Sequence, residues 1–398
     1  MSFEIALSGI NAINTQLDTI SNNIANTGTY GFKSSRANFA SMYADVQPTG
    51  VEVSSLTQTL GIGGGIISTG RSLDVAISGG GFFVTRDATG AEVYTRVGIF
   101  AKDKEGYLVD SFGRKVQGYA AVEGSDELGA MGDLRVTTGQ VPAKASTSVD
   151  YVGNLSADWE VPTAAFDPLD PTSFNSSVVT VVYDTLGAQH TVTQYFRKTA
   201  ANEVDVHYVF DGDTAAPIGP HQLTFAAGDG KLDGATAAYT LGPLTTTNGS
   251  ADITVAFDYT GTTQYAGTTT TTTNSTDGYA SGALSGLQID EDGSVMAQYS
   301  NGVKQKLGTL VMATFPNENA LVPLSDTSWT TSNGSGTPLY STAGVGMAGK
   351  LAAGALEQSN VDMTAELVTL MTAQRNYQAN TKVISTQDEM MQNLMQAV

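Results

Sequence analysis

The chain has 398 residues, enough for two or three domains with ordinary cores, and carries 39 acidic against 19 basic side chains for a formal net charge of -20. That charge opposes contact with nucleic acid or an anionic membrane, and the lack of cysteine removes disulfides, thiolate metal ligands and cysteine nucleophiles together. There is no run of about 18 or more apolar residues, and the first ten residues carry Glu4 with no basic side chain. Neither a spanning helix nor a secretory signal peptide is expected, and by sorting signals alone the chain reads as cytosolic.

The first element is a helix. Phe3, Ala6, Ile10, Ile13, Leu17, Ile20 and Ile24 follow one another at alternating spacings of three and four, an unbroken heptad seam. The helix is expected to stop at Asn26-Thr27-Gly28, where Asn and Gly accept the left-handed conformation that ends a helix. The following Gly-rich stretch LGIGGGIISTG (60–70) lacks the Gly-Lys-Ser/Thr of a phosphate loop and reads as a flexible connection.

Residues 71–145 then give short β-rich runs, RSLDVAISGGGFFVTRD among them, separated by Gly-Gly-Gly, Lys-Glu-Gly and Phe-Gly-Arg turns. A second block of the same character, LQIDEDGSVMAQYSNGVKQKLGTLVMATF, occupies 287–315, and the two could share one sheet. Between them, 146–282 holds alternating strands such as SVVTVVYDTLGAQHTVTQYF and ADITVAFDY, with proline punctuation at 162–171 and a Thr/Gly/Asn-rich boundary at 260–282. This reads as an inserted β domain.

A second long helix is expected from Ser359, where Ser-Asn-Val-Asp fits a capping box and Asp362 and Glu366 suit the positive end of the helix dipole. Met363, Leu370, Tyr377, Ile384, Met391 and Val398 recur every seventh residue, whereas the companion column Leu367, Gln374, Thr381, Asp388 and Met395 is only half apolar. A simple dimeric coiled coil prefers both columns apolar, so the polar members suit a helix among several neighbours or facing a wet channel. The plainer alternative docks both helices on the chain's own β core.

The expected fold is therefore mainly β and multi-domain with terminal helical coiled-coil segments, nested so that the two helices meet at one end. Segments 1–27 and 359–398 form the helical part, 28–70 and 340–358 the links, 71–145 and 283–339 a first β domain, and 146–282 the insertion.

Catalytic and metal chemistry finds little support. His190, His207 and His221 lack metal-ligand spacing, IDEDGSV (289–295) misses the later glutamate of a calcium loop and reads as a hairpin turn, and neither Gly-x-Ser-x-Gly nor His-Glu-x-x-His occurs. No cofactor is expected. A secreted β-rich hydrolase or carbohydrate-binding protein is the competing class, and it needs a carboxylate pair that nothing in the pattern singles out.

ALSGINAINTQLDTISNNIANTGTYGFKSSRANFASMYAD (6–45), STGRSLDVAISGGGFF (68–83) and KLAAGALEQSNVDMTAELVTLMTAQRNYQANTKVISTQDEM (350–390) closely resemble the bacterial flagellar axial family of rod, hook and hook-associated proteins. The most specific elements are Asn-Asn-Ile-Ala-Asn-Thr (22–27) and Gln-Arg-Asn-Tyr-Gln-Ala-Asn (374–380). The insertion at 146–282 favours the hook branch over a distal-rod or hook-associated junction protein. The resemblance implies a structural homopolymer, not an enzyme. It implies export through the flagellar type III apparatus without a cleaved signal peptide, which overrides the cytosolic reading. It also implies an extracellular tube that transmits torque as a universal joint, with rod proteins, hook–filament junction proteins and the hook cap as partners.

On that reading, Ile10, Ile13, Leu17, Ile20, Ile24, Met363, Leu367, Leu370, Tyr377, Ile384 and Met391 form the polymerisation interface, and Gln374, Thr381 and Asp388 face the channel. Tyr30, Phe32, Phe39 and Tyr43 suit either an ordinary core or a wedge between subunits.

Overall fold

A computed structural model of the chain describes residues 2–44, 47–122, 127–136 and 139–397, so Val398 of the seven-residue column lies outside the described residues. The chain divides into two compact units. Unit 1 comprises Met1–Thr138, Gly286–Gln298 and Lys304–Val398, and unit 2 comprises Gly139–Ser285 with Tyr299–Val303.

Unit 1 begins with α1 (Ser2–Ala25) and ends with α2 (Met363–Ala397). After α1 the chain turns through Asn26 and Thr29, but the left-handed residue is Gly31 (φ +69°) and not Asn26 or Gly28. A Cβ on Gly31 would lie 3.1 Å from the Arg96 and Val97 backbone, so close approach to the β part fixes this position. The cap of α2 also differs from the expected box: Asp362 is the capping residue, its Oδ1 accepting from the Thr364 and Ala365 amides at 2.8 and 3.2 Å.

The segment read as a link carries a long hairpin, β1 (Ser35–Ala44) antiparallel to β2 (Gln47–Gln58), with Ser35 opposite Gln58 and Val51 opposite Ser41. Further on, β3 (Ile66–Ser68) pairs with Ala355–Glu357, and β4 (Val75–Ser78) pairs with Lys350–Ala353. Neither 28–70 nor 340–358 is therefore a flexible tether. Each supplies strands with paired backbone groups, and β3 and Ala355–Glu357 join the two segments directly.

The two β blocks of unit 1 interleave in one sheet: Tyr119 pairs with Thr309, Phe83 with Met312 and Tyr94 with Trp329. Phe83, Phe100, Leu310 and Met312 fill one core, and Phe82, Tyr94, Phe315 and Trp329 fill another. The expected turns at Lys104-Glu105-Gly106 and Phe112-Gly113-Arg114 are present, each opened by an aspartate (Asp103, Asp110) whose Oδ1 accepts the amide four residues on. Asp290 to Ser294 is likewise a hairpin turn, closed by the Gly293 amide on the Asp290 carbonyl at 3.0 Å.

Unit 2 has two four-stranded sheets, one built from 148–154, 238–244, 253–258 and 270–276, the other from 176–183, 189–200, 203–210 and 218–224. Tyr151, Phe196, Tyr208, Phe257 and Tyr259 share its core. Inside, the Tyr259 hydroxyl donates to Gln194 Oε1 at 2.7 Å and Gln194 Nε2 donates to Thr180 Oγ1 at 2.8 Å, which satisfies groups that would otherwise be costly to bury.

All three histidines of the chain belong to unit 2 and titrate in opposite directions. Burial alone would lower the His190 pKa, but Asp211 Oδ2 at 2.6 Å from Nδ1 and Asp184 Oδ2 at 3.4 Å from Nε2 raise it above the usual histidine value. Burial, with Arg197 nearby, lowers His207 to about 4, where the ring stacks on Phe166 at 3.9 Å. Burial also lowers His221. A raised pKa adds stability that is complete below the unfolded value and lost as pH climbs through the folded one. A lowered histidine costs stability as pH falls below the unfolded value. Unit 2 should therefore be most heat-resistant near pH ~6.5, the unfolded histidine value, and His190→Gln should flatten the alkaline limb of its melting-temperature profile. Equal alkaline limbs in variant and parent would refute the pairing.

Candidate assembly surface

α1 presents two faces. On one, the hairpin runs alongside: the Val51 amide donates to Ser8 Oγ at 3.2 Å, and a Cβ on Gly50 would strike the same Oγ. On the other, Ile13 and Ile20 are buried with Ala373 of α2, and Leu17, Ile24 and Leu370 pack around them. The contact is close because small residues meet there: a Cβ on Gly9 would lie 3.0 Å from Asn380 Nδ2. The N-terminal seam is thus largely spent inside the chain, with Ile10 half-buried beside it.

The second helix divides differently from the expected columns. Leu370 and Ile384 are half-buried, and their inward companions are Ala373, Asn380 and Gln387. Leu367, Gln374, Thr381 and Asp388 are exposed, as are Met363, Tyr377 and Met391. The outer face of α2 therefore shows Met363, Leu367, Val368 and Met371 side by side, each 44 to 54% exposed. On the hairpin, Phe39, Met42, Tyr43 and Leu56 are also open, whereas Phe32 is buried in the neck.

That neck, where the two ends of the chain join the β part, was not read from the sequence. Lys33 Nζ lies 2.6 Å from Glu357 Oε1 with both side chains essentially inaccessible, and Arg96 Nη1 lies 3.5 Å from Glu357 Oε2 and 2.8 Å from the Gly79 carbonyl. Burial, reinforced by Arg96, holds the Lys33 pKa below its ordinary value against the opposing pull of Glu357. Nearby, Asn360 accepts from the Ser34 amide at 2.7 Å and donates to the Thr59 and Ile62 carbonyls. Asn23 joins α1 to both sides, donating to the Ser35 carbonyl and to Glu366 Oε1 at 2.8 and 2.9 Å.

The Gly61–Gly65 run is clamped at Gly64, where a Cβ would lie 1.9 Å from the Gln358 carbonyl oxygen, while at Gly61 it would meet nothing within 4 Å. Gly64→Ala should lower unit 1 stability by about 1–3 kcal/mol or more, and Gly61→Ala should leave it unchanged. Denaturant midpoints of the two variants decide this, and equal midpoints would refute the clamp.

Among the described residues no group of three or more histidine, aspartate or glutamate side chains could hold a metal ion, and no helix is long and apolar enough to cross a membrane.

The chain is 38% identical to the flagellar hook protein FlgE of Salmonella typhimurium over 406 aligned positions covering 99% of each, and 37% identical to that of Escherichia coli over 405, again 99% of each. The chain belongs to the flagellar hook protein family. As a hook protein it is a structural subunit of the flagellum and not an enzyme. More distantly, it is 31% identical to the hook protein of Treponema pallidum, covering 98% of this chain and 97% of that one.

Family profiles match the hook protein piece by piece. "Flagella basal body rod protein" matches 3–33, "Flagellar hook protein FlgE/F/G D1 domain" 76–157, "Flagellar basal body protein FlaE D2 domain" 154–279, and "Flagellar basal body rod FlgEFG protein C-terminal" 352–397. The crystal structure of Helicobacter pylori flagellar hook protein FlgE2 aligns with a TM-score of 0.55 at 14% identity, covering 73% of this chain and all of that one. That likeness concerns the fold, mostly β with terminal helices.

Proposed function

We propose that this subunit assembles with copies of itself into the tubular, flexible hook outside the cell, with α1 and α2 pairing as a coiled-coil-like inner layer. Gln374, Thr381 and Asp388 line its wet channel. The observation that carries this reading is the outer face of α2, where Met363, Leu367, Val368 and Met371 remain open although α2 already packs on α1. A contiguous apolar face of this kind is what self-association hides. Met391 and Tyr377 extend the polymerisation interface along α2. Ile10, Ile13, Leu17, Ile20, Ile24, Leu370 and Ile384 act indirectly, by holding the helix pair in shape.

Unit 2, with its threonine-rich exposed strand at 270–276, supplies weak, wet contacts that slide as the tube bends. Rod proteins, hook–filament junction proteins, the hook cap and the type III export apparatus are the partners, and no signal peptide is cleaved.

Leu367→Asp/Met371→Asp places charges only on the open face, so the monomer should keep its helicity and melting temperature while polymer disappears from sedimentation and electron micrographs. Parental polymer yield in this variant would overturn the proposed interface.

A further inference from the structure

The chain has 11 methionines and no cysteine, so methionine is its only source of sulfur. Five of the 11 lie in α2, a helix that makes up less than a tenth of the chain: Met363, Met371, Met390, Met391 and Met395. All five are open, from 49 to 73% exposed, whereas Met312 is sealed in the core of unit 1 and Met131 and Met296 are half-buried. Met363 and Met371 lie one turn before and one turn after Leu367, so their thioethers share its side of the helix.

A thioether suits such a face because it is apolar, flexible and polarisable, and adapts to whatever packs on it. It is also an apolar group that a peroxide can convert. A sulfur lone pair attacks one oxygen of hydrogen peroxide, the O–O bond breaks, that oxygen stays on sulfur and the other leaves as water. Sulfur gives up two electrons, peroxide gains them, and the side chain becomes a polar sulfoxide. With no thiol in the chain, nothing more reactive consumes the oxidant first. An α2 that leaves α1 bares these sulfurs further, so their access does not require the helix pair to be held in the free chain.

We propose that the methionines of α2 are an oxidation switch on self-association: hydrogen peroxide closes the free subunit to assembly by turning these open thioethers into sulfoxides, and reduction reopens it. This inference deepens, and rests on, the assembly surface proposed above. In the polymer Met363, Met371 and Met391 are covered by neighbouring copies, so the switch acts on subunits before assembly and not on finished tubes.

The test treats full-length monomer with hydrogen peroxide, reads the oxidised positions by peptide mass, and measures polymer by sedimentation. Sulfoxide should accumulate on α2 well before Met312. The subunit concentration needed for polymer should rise about tenfold or more, as expected for a polar group buried without a partner. Unit 2 contains no methionine, so its thermal transition should not move. Methionine sulfoxide reductases for both epimers, supplied with a dithiol, should restore polymer. A chain with leucine at all five positions, judged against its own untreated yield, should be indifferent to peroxide. Met347→Leu, at a residue 71% exposed but outside the helix, should stay as sensitive as the parent. If the five-leucine chain forms no polymer, recovery that tracks reduction at the α2 positions decides. The switch is overturned if parent subunits carrying α2 sulfoxides polymerise at the untreated concentration, or if peroxide inhibits the five-leucine chain as strongly as the parent. In the first case Leu367→Asp/Met371→Asp shows what has failed. If that variant cannot polymerise, the switch alone is wrong, and if it polymerises too, the assembly surface is wrong with it.

Discussion

Replacing Ile20 by aspartate is expected to free α1 from its two supports and abolish assembly, while unit 2 keeps its own thermal transition. Ile20 is 4% exposed and sits among Ile13, Leu17, Ile24, Leu370 and Ala373. A carboxylate there is unpaired, with Asn23 already committed to Ser35 and Glu366 adding like charge one turn away. Such a group costs roughly 3–5 kcal/mol or protonates. That exceeds what a helix of this length holds by itself, because isolated helices in water are marginal and depend on a packed face.

The expected result is protease clipping within roughly the first 30 residues, a fall in helical circular dichroism, and no sedimenting polymer. Ile384→Asp should act in the same direction more weakly, since Ile384 is only half-buried. If Ile20→Asp polymerises like the parent, the helix pair is not what shapes the assembling surface. The contrast with Leu367→Asp/Met371→Asp separates two roles: the inner substitution damages the monomer first, and the outer one spares it.

The terminal helices were legible because amphipathic periodicity is a local property: Ile13, Ile20 and Leu370 occupy the positions their spacing predicts, and they pack together. The turns were legible for a similar reason, since aspartate and glycine impose their geometry within five residues. What periodicity could not give is the identity of the second inward column of α2. The apolar residue there is Ala373, and its companions are the half-buried polar side chains Asn380 and Gln387, Asn380 lying against Gly9 where the helices approach closely. The larger, greasier Leu367 lies outside.

The neck was invisible for a different reason. Lys33, Arg96 and Glu357 each look like an ordinary surface charge, and only pairings across hundreds of residues bury them. A glycine run likewise reads as flexible until a carbonyl, here that of Gln358, occupies the space a side chain would need.

Excising unit 2 is expected to change the shape of the polymer without preventing its formation. Just inside the ends of its main segment, Val141 and Gly282 bond to each other through both backbone groups at 2.8 and 3.2 Å. The ends of an excision of 142–281 therefore lie a hydrogen bond apart, within reach of a Gly/Ser linker of about three residues. The cores of unit 1 contain no residue from 142–281, and neither does the α1–α2 cluster nor the neck. The excision does remove the Ala280 carbonyl that Asn301 Nδ2 bonds, which leaves the tip at 299–303 without that partner. That tip is a turn closed by its own backbone bonds, Tyr299 amide to the Val303 carbonyl at 2.9 Å and Gly302 amide to the Tyr299 carbonyl at 3.0 Å, which the excision leaves in place. The excised subunit should keep the melting transition of unit 1 and still form tubes. Because the sliding contacts assigned to unit 2 are gone, those tubes should be straighter or altered in stiffness under the electron microscope. Failure to form any polymer, with unit 1 still folded, would show that unit 2 carries cohesion as well as compliance.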